Sequence, residues 1–140
     1  MRNYIAIFML FLSGSSYCQT VKSSVINNKE KAKLLGSIES YEFFKGQQLS
    51  MGIFKVSNGP GSANLPESHE ISHQLLLSVA EYDENPVHKL YSIGPFILPK
   101  VTMKVDSGHL IRLLVEHGVS DSRKTINVVA GLTTIQHKPN

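Results

Sequence analysis

The sequence predicts an all-β protein: an antiparallel β-sandwich of about seven strands, similar in size to an immunoglobulin domain, behind a cleaved signal peptide. Three observations predict it. Apolar and polar residues alternate with period two over most of the chain after position 32, the signature of strands with one buried face. Gly, Pro, Asn and Asp break these runs at short intervals, as turns do. No long stretch shows the 3.6-residue period of a helix, and many short strands without helices define a sandwich or barrel.

The chain opens with Arg2, a charge-free apolar run Tyr4-Ile-Ala-Ile-Phe-Met-Leu-Phe-Leu12, and the small polar residues Ser13-Gly-Ser-Ser16 before Tyr17-Cys18. That order matches a secretory signal peptide over 1–18. The run is too short for a bilayer core, which needs about 20 apolar residues. The expected location is therefore secreted or periplasmic. A lipid anchor on Cys18 is the lesser alternative, because Ser15-Ser16-Tyr17 lacks the aliphatic and small residues of a lipidation signal. Cys18 is the single cysteine, so cleavage after it leaves no disulfide and no thiolate ligand. Burial alone must then stabilise the mature domain of about 120 residues.

Residues 19–31 are polar and read as a flexible lead-in or a short helical turn; the domain proper is expected over 32–136 and a fraying tail over 137–140. Leu35, Ser37, Glu39, Tyr41 and Phe43 share one parity of a first strand, and 45–48 form a turn. A second strand covers 49–56. Residues 57–68 concentrate Gly, Pro, Asn and Ser and form a long surface loop, of the kind that often carries function. Residues 71–82 fit a strand, with Ile71, His73, Leu75, Leu77 and Val79 on one side. They also fit a helix, with Ile71, Leu75, Val79 and Tyr82 in one stripe. The turn at Asp83-Glu-Asn-Pro86 and the alternating run 87–93 favour a hairpin. Gly94-Pro95 and Pro99 place the next segment at a sheet edge or bulge. Val101, Met103 and Val105 make a half-buried strand with Lys100, Thr102 and Lys104 on its wet face. Asp106-Ser107-Gly108 turns into a strand over 110–115, and 125–136 is the last strand.

One motif carries chemistry. His69-Glu70-Ile71-Ser72-His73 matches H-E-x-x-H, in which two histidines one helical turn apart hold zinc and the glutamate activates its water. This gives the alternative reading, a small zinc hydrolase with His69 and His73 as ligands and Glu70 as the catalytic base. It requires a helix, and no third ligand follows at the expected spacing. His88, His109 and His117 show no ligand spacing, and no phosphate loop or serine elbow is present. The formal charge of +3 falls to +2 without Arg2, and the lysines are scattered, which argues against a nucleic-acid partner. No second segment is long enough to cross a membrane.

The expected function is a non-catalytic binding or accessory module for an extracellular polysaccharide or an exported protein. A third reading is an envelope-assembly or chaperone-like protein that caps a partner's strands. The candidate surfaces are the 57–68 loop and the 94–99 segment. The candidate ligand-binding residues are Asn58, Asn64, Tyr82, Tyr91 and Phe96, and an exposed row drawn from Tyr41, Phe43, Phe44, Tyr82, Tyr91 and Phe96 would favour sugars.

Overall fold

Eight strands in two antiparallel sheets make up most of the computed structural model, which describes residues 28–64 and 70–139. The signal peptide expected over 1–18 lies outside the described residues. The first sheet has the order β1(Ile38–Lys45), β2(Leu49–Ser57), β3(Ser72–Glu81), β4(His88–Ile97). The second has the order β5(Lys100–Asp106), β6(Ile111–His117), β7(Lys124–Ala130), β8(Ile135–Pro139). Each is a meander in which every strand pairs with its neighbour in sequence within the sheet; short turns join most pairs, and the longer 58–71 connection joins β2 to β3.

The alternation of the sequence places the core. Leu49, Met51 and Ile53 of β2, Leu75, Leu77 and Val79 of β3, Ile111, Leu113 and Val115 of β6, and Val128 and Ala130 of β7 are buried. They join Ile93 and Phe96 in a single apolar cluster that draws on both sheets. Polar contacts join the sheets at their margins. The Asp106 carboxylate accepts from Gly108 N in its own turn (2.9 Å) and from Gln47 N in the β1–β2 turn (2.6 Å). Tyr91 Oη donates to Gly131 O at 2.8 Å, and Lys104 of β5 pairs with Glu42 of β1.

Four differences from the sequence reading have physical causes. Residues 29–36 are not the start of a strand but a short helix, α1(Lys29–Gly36). Lys, Glu, Ala and Leu are good helix formers, and Asn28 caps the helix by accepting from Lys31 N at 3.0 Å. Residues 72–81, by contrast, form the paired strand that the hairpin reading favours. The expected last strand is two, because Gly131 turns the chain, donating its N–H to Thr134 O at 2.9 Å. A Cβ on Gly131 would lie 2.8 Å from His109 O, so only glycine fits. The tail expected to fray is paired as β8 through Pro139.

The fourth difference is in β5. Val101 faces Val115, yet Met103 faces Leu114, so Thr102 is an extra residue in a bulge. Beyond it the parity reverses. Met103 and Val105 are exposed, and Lys104 turns inward toward Glu42. Similar irregularities occur in β1, where the register shifts across Glu39, and in β4, where Gly94 and Pro95 together oppose Gln74. No helix among the described residues is long and apolar enough to cross a membrane.

Candidate functional site

Alternate residues of β1 point away from the core, and three of them form a row. Tyr41 pairs with Phe54, Phe43 with Gly52, and Lys45 with Ser50 across the ladder. Tyr41 and Phe43 are 55% and 57% exposed, unusually open for rings on a paired strand. The Tyr41 ring packs on Phe54, with centroids 4.7 Å apart and planes tilted 35°. Gly52 makes room for this pair, since a Cβ there would sit 3.2 Å from the Tyr41 ring and 3.3 Å from Phe54. At the end of the row Lys45 Nζ lies 5.3 Å from the centre of the Tyr82 ring, which is 46% exposed.

Tyr82 also borders a groove of about 440 Å³, together with Gln47, Gln48, Glu81, Asp83 and His109. The groove therefore combines an aromatic wall with amides that both donate and accept and carboxylates that accept. The β1–β2 turn that carries Gln47 and Gln48 is fixed by Gly46 N donating to Leu49 O (2.8 Å) and by the Asp106 contact.

A second site lies at the other end of the first sheet. A cleft of about 370 Å³ is lined by Glu39, Lys55, Glu70, Ile71, His73 and Leu98. One oxygen of Glu39, Oε2, accepts from Lys55 Nζ at 2.9 Å and from His73 Nε2 at 3.0 Å. An ionised carboxylate only accepts, so Nε2 carries the imidazole proton. His73 is 4% exposed, and its Nδ1 is buried without a hydrogen-bond partner among the described residues. The hydrogen bond from Lys55 holds the Glu39 carboxyl below its ordinary range; partial burial opposes this, and His73 adds to it. Leu98 sits at the rim with φ of 46°, a left-handed backbone that costs about 1–3 kcal/mol in a residue other than glycine. The turn is held there by Gly118 N donating to Ile97 O (2.7 Å) and Arg123 Nη2 donating to Leu98 O (3.2 Å).

The residues singled out in the sequence separate into these places. The zinc reading loses its geometry: Glu70 precedes β3 and His73 lies on that strand, not on a helix, while His69 lies outside the described residues. No group of three ligand-type side chains suited to a metal occurs among the described residues. Phe96 is not a surface ring; it is buried in the core, with its centroid 5.0 Å from that of His117. Tyr91 is half-buried and its hydroxyl is engaged with Gly131, while Phe44 packs against the core. Asn58 donates to Ser72 Oγ at 2.9 Å, and Asn64 holds a turn with φ of 54°. Asn58 thus ties the start of the loop to β3, and Asn64 closes its turn by donating its N–H to Gly61 O. Of the five candidates, Tyr82 borders the groove.

The 57–68 loop and the 94–99 segment were separate surfaces in the sequence. The chain leaving the loop, at Glu70 and Ile71, meets Leu98 at the rim of the cleft. Glu39, Lys55, Gln47 and Gln48 carried no sequence signal. Glu39 reaches the cleft from a bulge, and the glutamines read as ordinary turn residues.

Comparison with known proteins finds no matching family model, no matching curated protein and no matching solved structure.

Proposed function

We propose that this protein is an exported, non-catalytic binding module whose two sheets stack as a β-sandwich and whose ligand is an extracellular polysaccharide. One observation carries the reading: Tyr41 and Phe43 stand in solvent along β1, and the row ends at Lys45 beside the exposed Tyr82, which borders a groove of amides and carboxylates. An aromatic face is electron-rich and apolar, suited to the C–H face of a sugar ring, while amides and carboxylates satisfy its hydroxyls. Rings on a paired strand are already ordered, so less freedom is lost when a chain lies along them. An open face of this kind suits a polymer, which a closed pocket would exclude. Export rests on the order of Arg2, the apolar run to Leu12 and the small residues before Cys18.

Affinity electrophoresis and calorimetry against a panel of soluble polysaccharides test the reading. At least one polymer should bind, and Tyr41→Ala combined with Phe43→Ala should weaken it on the order of tenfold or more, about 1.4 kcal/mol per decade. Both rings are exposed, so the variant should stay folded. The reading fails if no polymer binds, or if the double variant binds as the parent does.

A further inference from the structure

We propose that the cleft between the chain entering β3 and the β4–β5 turn binds a free α-amino acid with an aliphatic side chain. The ammonium lies on Glu39, the carboxylate on Lys55, and the side chain between Ile71 and Leu98. The site is separate from the aromatic row and does not depend on it.

Four observations carry this. The first is how the charges are spent. Both bases that reach Glu39 share its Oε2, at 2.9 and 3.0 Å, so Oε1 has no partner among the described residues. Lys55 has three donors and uses one of them on Glu39. The pair thus offers one acceptor of negative charge beside donors of positive charge, the complement of a zwitterion. A ligand with both charges satisfies the two sides without breaking the pair.

The second is Leu98. Glycine adopts its left-handed backbone without strain, yet the position holds leucine, and that side chain is 51% exposed at the rim. Strain kept to display an apolar side chain to solvent is explained if a ligand covers it. Ile71 faces the same cleft, so two aliphatic side chains line it beside the Glu39–Lys55 pair, with Glu70 also at its wall. Third, His73 is buried and its Nδ1 has no partner among the described residues, a loss that a purely stabilising residue would avoid. What the residue achieves is to fix Glu39 through Nε2, which preorganises the carboxylate before a ligand arrives.

The last is size. A volume of about 370 Å³ lies near the bottom of the range for small-molecule sites, a size that suits one amino acid.

Calorimetric titration of the protein with L-leucine tests the assignment, alongside leucinamide, which lacks the carboxylate, and 4-methylpentanoate, which lacks the ammonium. L-leucine should bind saturably, and each analogue at least tenfold more weakly. Leu98→Gly should weaken leucine binding at least fivefold while the protein stays folded, because glycine accepts the same backbone. Glu39→Gln should weaken leucine and leucinamide but leave 4-methylpentanoate nearly unchanged. Three results overturn the proposal: no saturable leucine binding at millimolar concentration, analogues that bind as well as leucine, or Leu98→Gly binding as the parent does.

Discussion

Glu39 links three strands with one carboxylate oxygen, since Lys55 is on β2 and His73 on β3. Its effect on stability has a definite sign with pH. Lys55 holds the folded-state carboxyl below its ordinary value. The contribution is therefore complete above the unfolded value, about 4.3 for glutamate, and is lost as pH falls through the lower folded value. Glu39→Gln should cost stability at pH 7, and the gap to the parent should close on acidification below about pH 4. Because the side chain is more than a third exposed, solvent screening limits the gap to about 1 kcal/mol or less. Urea unfolding of both proteins across that range measures it, and a gap that widened in acid would contradict the assignment. None of this could be read from the sequence. Glu39 and His73 are 34 residues apart, and only the bulge in β1 brings the carboxylate to the imidazole.

Among the elements, α1 is coupled weakly to the rest. None of its residues is buried, and Leu34 and Leu35 are both exposed. Asn28→Ala removes its cap, worth about 1 kcal/mol to the helix. Because the helix contributes no core, the loss should appear in its amide hydrogen exchange and leave the global unfolding midpoint within about 0.5 kcal/mol of the parent. A large fall in global stability would mean that α1 packs more firmly than its exposure indicates. The strands show where periodicity succeeds and where it fails. Alternation located β2 and its buried face and, with the hairpin context, that of β3, while β6 reads as a returning strand. In β5 the same rule assigned Met103 and Val105 to the wrong face. A single extra residue at Thr102 inverts every side chain after it, and no residue type marks that insertion.

The two sheets act as a unit through one core and a few marginal ties. Asp106 is the most connected of these: it orders its own turn and reaches Gln47, 59 residues earlier in the chain. Asp106→Ala strands two backbone N–H groups and should lower global stability by about 1–3 kcal/mol. The transition should remain single in chemical denaturation, because the core is shared. Two separated transitions would show instead that the sheets unfold independently. At this scale the sequence was legible in its fold class, since patterning and turn chemistry specify short antiparallel strands. The places where function is proposed were less so. Tyr82 was visible as a turn-end aromatic, but Phe96 and Tyr91 looked equivalent to it until packing separated surface from interior.

The four outer strands share one property. β1 shifts register at Glu39, β4 is displaced by Gly94 and Pro95, β5 carries Thr102 in excess, and β8 is five residues long and ends in Pro139. A straight strand from another molecule finds only a short regular row of amides to lie against on each margin. Growth of a fibril by edge addition is thereby hindered at each margin, a useful safeguard for a chain whose Tyr41 and Phe43 rings face water.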